Sequence, residues 1–173
     1  MNIVLKLSLS LCIILLCGYF GFLKSKKLAL REQILREMVI FLNLVKNDIS
    51  YMMNILPNAY EIARQKLNTS LKIAIGKIVV DMINLNSITG LEQSITKNIS
   101  DMEDITKYDK EVFISTLKNL GRSDLESQLN IIDNSISIIE NQIKEANEIK
   151  LKNSKLYKTV GVITGLMIVI VFI

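Results

Sequence analysis

Residues 157–173 read YKTVGVITGLMIVIVFI. After Lys158 this stretch carries no charge, and Gly161 and Gly165 stand four apart within it, the spacing that lets a second membrane helix approach closely. A matching apolar run lies at the other end, residues 7–23, and it too holds two glycines, Gly18 and Gly21. The expectation is a helical-bundle domain over residues 24–156, an anchor over 1–23 and a C-terminal transmembrane helix over 157–173. Gly18 and Gly21 would offer a packing surface to Gly161 and Gly165. Each run is about 17 residues, short against the roughly 20 that span a hydrocarbon core. Lysines at the ends can snorkel to extend them.

Charge placement supports this division. Lys24, Lys26, Lys27 and Arg31 follow the first run, and Lys144, Lys150, Lys152, Lys155 and Lys158 lead into the second. Between them, residues 32–143 hold 11 Lys/Arg against 15 Asp/Glu. The overall charge of +4 therefore comes from two collars beside the apolar runs and does not form a nucleic-acid surface. Because positive residues stay on the cytoplasmic side, the central domain is expected there. The first run has one lysine before it and no small-residue cleavage site after it, so an uncleaved anchor is expected.

The chain has no histidine, and both cysteines, Cys12 and Cys17, fall in the first apolar run. A histidine-based triad and a Cys-His pair are excluded. The sequence contains no phosphate-binding glycine loop, since Gly76-Lys77 lacks both the upstream glycine and the following hydroxyl residue. The expectation is a non-enzymatic protein with no cofactor, no metal, no nucleic acid and no small-molecule substrate. Asp101, Glu103, Asp104, Asp109 and Glu111 are read as a solvated helix start.

One proline and seven glycines in 173 residues, with apolar residues three and four apart, give an all-α fold of about six helices. Leu28, Leu35, Met38, Leu42, Val45 and Ile49 form one buried seam of a first helix that ends near Asn54. Pro57 opens a second helix over 57–67, with Ala59, Ile62, Ala63 and Lys66 on one face. The third is expected over 70–84, a short fourth carries Leu91, Ile95 and Ile99, and the fifth runs over 102–120. Gly121 is placed to end the fifth in the left-handed conformation. Ser123 with Glu126 forms a capping box for the sixth, whose seam is Leu125, Leu129, Ile132, Ile136, Ile139, Ile143 and Ala146.

Three groups of residues together resemble the stage III sporulation protein AB family of endospore-forming bacteria. They are Tyr51 with Leu56-Pro57 and Ala59; the corner Leu120, Gly121, Asp124 and Gln128; and Tyr157, Gly161, Val162, Gly165, Leu166 and Ile168. The family is similar to the F-type inner-membrane platform protein of type II secretion systems. The resemblance implies a scaffold in the trans-envelope channel between mother cell and forespore, in the mother-cell membrane around the forespore. The implied partners are the other stage III sporulation A-operon proteins, including a secretion-type ATPase on the cytoplasmic side. The corner of Leu120, Gly121, Ser123, Asp124, Glu126 and Gln128 would hold a helix junction and offer a docking surface. An alternative from a different class is a membrane-tethered coiled-coil dimer, acting as tether or sensor, paired through the seam from Leu125 to Ile143.

Overall fold

The computed structural model describes the chain except residues 1, 2, 53, 85, 86 and 173, and gives no side-chain surroundings for 3–11, 14, 158, 161, 162, 171 and 172. Among the described residues there is no strand. The elements are α1 (Ile3–Asn47), a π turn (Asp48–Met52), α2 (Leu56–Arg64), α3 (Ser70–Asn84), α4 (Ile88–Ser100), α5 (Lys107–Asn119) and α6 (Leu125–Phe172). The chain divides into two compact units. One is Met1–Leu30 with Glu145–Ile173, and the other is Arg31–Lys144. Among the described residues no helix is long and apolar enough to cross a membrane. Membrane-spanning helices are therefore not part of what the fold itself displays.

The unit Arg31–Lys144 is built on the second half of α1. Ile34, Leu35, Met38, Phe41, Leu42 and Val45 are fully buried, a stripe at spacings of one, three and four. Phe41 sits at its centre. Its ring meets Tyr60 of α2 edge-on at 5.0 Å and Phe113 of α5 at 5.9 Å. Tyr60, not the half-exposed Ile62, fills the inner face of α2 beside Ala59 and Ala63. Leu71, Ala74, Ile75, Ile78 and Val79 line the inner face of α3, and Ile95 and Ile99 that of α4.

Two buried carboxylates hold the short helices to α1. Glu37, 6% exposed, accepts hydrogen bonds from the backbone N–H groups of Asn68 (3.1 Å) and Thr69 (3.0 Å) and from the Thr69 hydroxyl (2.7 Å). It thus satisfies donors at the start of α3 from a distant helix, the task a local cap usually performs. Asp109 is fully buried and takes a two-pronged contact from Arg31, at 2.8 Å through Nε and 3.0 Å through Nη2. It also accepts the Thr106 backbone N–H at 2.9 Å while the Thr106 hydroxyl accepts from the Asp109 N–H, a complete capping box for α5. Two expectations change here. Asp109 is not part of a solvated acidic cluster, and Arg31 is not part of a basic collar, because they neutralise each other inside the bundle. The fifth helix accordingly starts at Lys107 rather than at 102, with Met102 and Ile105 buried in the turn before it.

The inner seam of α6 in this unit is Ile132, Ser135, Ile139 and Gln142. Ile132 and Ile139 are where the apolar heptad puts them. The alternate positions are Ser135 and Gln142, with Ile136 and Ile143 half-buried on the flank and Leu125 44% exposed. Ser135 and Thr116 of α5 join their hydroxyls at 2.7 Å. The Gln142 amide is buried without a hydrogen-bond partner on either atom. On the surface, Lys46 reaches Asp133 at 2.6 Å.

Candidate docking corner

Residues 120–128 fold into a tight, internally bonded junction between α5 and α6. Leu120 leaves the helix in an extended conformation, with its side chain 6% exposed. Gly121 follows at φ +81°, a left-handed value that side-chain-bearing residues adopt at a cost of about 1–2 kcal/mol. Gln128 then staples the turn. Its Oε1 accepts the Gly121 N–H at 3.0 Å, and its Nε2 donates to the Ser123 carbonyl at 2.7 Å.

The capping residue is Asp124, one position after the expected Ser123. Its carbonyl accepts the first helical hydrogen bond, from Gln128 N at 3.1 Å. Its carboxylate accepts the Ser127 N–H at 3.1 Å and the Ser127 hydroxyl at 2.7 Å. The Ser127 hydroxyl and backbone N–H hold the Asp124 carboxyl below the usual range, with the Glu126 N–H adding to them. A carboxylate is the stronger acceptor, and the register that uses it leaves Ser123 to serve through its carbonyl. Glu126 occupies the first turn, where a negative side chain suits the helix dipole.

The structure also joins two of the sequence groups. A Cβ placed on Gly121 would lie 2.6 Å from Cδ1 of Leu56, so the corner closes directly against the start of α2. Leu56 begins that helix after Ile55 in an extended conformation, and Pro57 lies in its first turn, where its missing N–H costs nothing. Tyr51 belongs to the π turn and points to solvent at 85% exposure, with Met52 at 69% and Ile55 at 66%. Sequence reasoning missed this exposed apolar set, because spacing alone placed the end of α1 near Asn54 and gave no sign of a π turn. Asn54 closes that turn onto the buried Asp48, through its backbone N–H at 3.4 Å and its side chain at 3.2 Å. Arg122 pairs with Glu92 of α4, tying the corner to a third helix.

The glycines of the apolar runs lie in the other unit. Gly165 is buried and Gly18 and Gly21 are half-buried, while the surroundings of Gly161 lie outside the described residues.

A family model described as stage III sporulation protein AB matches residues 6–173. The chain belongs to that family. The match takes in the corner, the Leu56-Pro57 helix start and both apolar runs. No curated protein and no solved structure matches the chain.

The corner sets one expected result. Gly121→Ala places a Cβ in the left-handed region and against Leu56, and should lower the unfolding free energy of the full-length chain by about 1–3 kcal/mol. Gly121→Asn should cost less, because asparagine tolerates that conformation. Urea unfolding followed by helical circular dichroism measures both. Equal losses for Ala and Asn would remove the backbone explanation.

Proposed function

We propose that this family member is a membrane-anchored scaffold of a secretion-like channel between mother cell and forespore, serving endospore development through protein–protein contacts. The observation that carries the reading is the continuity of α1 and α6. Each passes as one unbroken helix from a lysine-flanked apolar run into the packed bundle. Such a helix carries the chain from a membrane anchor into the bundle without a break. The family match supplies the sporulation role. Lysines snorkelling at both runs would offset their shortness, and the excess of lysine on the bundle's side of both runs favours a cytoplasmic bundle at the mother-cell membrane. Tyr51, Met52 and Ile55 beside the stapled corner form the surface on which a neighbouring channel component docks, the secretion-type ATPase being the partner proposed. Aromatic and aliphatic side chains on a rigid support are what binding hot spots are made of.

The test is genetic. Deletion should arrest the host after engulfment, with a forespore that collapses or loses gene expression. A full-length Ile55→Glu allele, changed at an exposed position, should accumulate normally in the membrane and still fail to restore spores. Normal sporulation in the deletion strain would refute the scaffold role. Full rescue by Ile55→Glu would move docking away from this surface.

A further inference from the structure

The exposed set Tyr51, Met52 and Ile55 shares one end of the bundle with the start of α6. The Lys46–Asp133 pair sets α1 and α6 antiparallel, and counting on from Lys46 and back from Asp133 brings Tyr51 and Gln128, the residue that staples the corner, to the same end. The seat of Gly121 against Leu56 closes that end. Leu125, 44% exposed, adds a fourth apolar side chain there, between the exposed Asp124 and Glu126. The charge around these side chains has one sign. Residues 47–63 and 123–143 contain six acidic residues and no lysine or arginine. Of the six, Glu61 is neutralised by Arg64 and Asp133 by Lys46, and Asp48 is buried beside Asn54. Asp124 bonds only the uncharged first turn through Ser127, and among the described residues no cation pairs with it or with Glu126. Lys118 and Arg122, the cations nearest the corner in sequence, line a separate groove between α4 and α5, where Arg122 pairs with Glu92.

We infer that this surface receives a cationic segment of another protein, one in which lysine or arginine flanks an apolar anchor; the inference rests on the docking reading above. Four apolar side chains held together in water call for a partner, and the carboxylates beside them select its charge. Ser127 holds the Asp124 carboxyl below the usual range, so that charge persists in mildly acidic solution. A second copy meeting this end through the same surface would set acid against acid, because a twofold contact presents one patch to itself. An anionic bilayer or a nucleic acid meets the same repulsion. A basic segment is attracted from a distance and leaves its apolar residue free to seat among Tyr51, Met52, Ile55 and Leu125.

The experiment places the photo-crosslinking residue p-benzoylphenylalanine at Tyr51 of the full-length chain in the sporulating host, and reads the linked peptide by mass spectrometry. The linked segment should come from another protein and carry lysine or arginine within about one helical turn of the linked residue. Glu126→Lys and Ser123→Lys should each lower the crosslink yield about fivefold. Ser123 serves the corner through its carbonyl, so the second change adds a positive charge while the staple stays intact. Glu140→Lys is the control, because Glu140 lines a different groove beside Arg36, Val39 and Ile40, and should leave the yield within about twofold. Equal loss in that control would show a diffuse field and overturn the inference. A linked segment without a basic residue, a link to lipid or a link to a second copy of the chain would overturn it too. Those results leave a docking surface standing, except that a lipid link removes it as well. No crosslink from a chain that still restores spores overturns both the docking reading and this inference.

Discussion

Replacing Asp109 with alanine should destabilise the full-length chain by about 3–5 kcal/mol, because it breaks a buried, two-pronged ion pair. The Arg31 side chain is only 12% exposed and Asp109 not at all, so the contact between them is largely shielded from water. The same change removes the reciprocal cap of α5, since Asp109 accepts the Thr106 N–H and donates its own to the Thr106 hydroxyl. Asp109→Asn should cost less, as an amide oxygen can still accept from Thr106. Arg31→Met with Asp109→Ala should cost less than the sum of the two single changes. Burial alone would raise the Asp109 carboxyl pKa, yet the Arg31 and Thr106 hydrogen bonds outweigh it and hold the group below its ordinary value. A depressed folded-state pKa means the pair's contribution is fully present above the unfolded pKa, about 3.9, and is lost as pH falls through the folded value. Urea midpoints should therefore be level from neutral pH down to about 5 and drop below 4, and Asp109→Ala should flatten much of that drop. A drop of undiminished size in the variant would assign the acid sensitivity elsewhere.

Phe41→Ala is the second large effect, again about 3–5 kcal/mol. Phe41 is fully buried and is the ring through which α1, α2 and α5 meet, with Tyr60 and Phe113 edge-on to it. Removing it deletes both aromatic contacts and leaves a cavity between three helices whose backbones are held apart by other residues. Since domains are stable by about 5–15 kcal/mol in all, the loss should be visible as a large shift of the thermal midpoint. Phe41→Leu, which keeps most of the volume, should recover more than half of it. If alanine and leucine behave alike, the cavity account is wrong.

The all-helical class and the positions of the helices were readable because apolar periodicity and the scarcity of glycine and proline act locally. The third helix, expected over 70–84, is α3 (Ser70–Asn84) to the residue. What periodicity could not show is where polar groups are buried. Asp109 looked like one acid among five, and only the fold brings Arg31, 78 residues away in sequence, onto it. In α6, counting apolar residues chose Ile136 and Ile143, whereas the packed positions are Ser135 and Gln142. The corner was legible in part. Gly121 ends its helix as expected, yet two overlapping capping patterns compete there, and the carboxylate of Asp124 prevails over the hydroxyl of Ser123. The contact between Leu56 and Gly121 joins two stretches that each look like ordinary helix boundaries, so no local signal could announce it.

For the membrane-anchored protein proposed above, the polar residues in the α6 seam bear on a hazard that anchoring creates. Confinement to two dimensions raises the encounter rate of identical copies, and a long helix with an unbroken apolar stripe would pair with its own twin. Ser135 finds its hydroxyl partner on Thr116 of the same chain, and a parallel self-pair would offer it only another serine. Gln142 sets an amide in the middle of the same stripe. Seams interrupted in this way accept fewer registers and fewer partners than uniform ones. On that reading, the hydroxyl bond of Ser135 to Thr116 favours α6 folding onto its own bundle over pairing with a second copy.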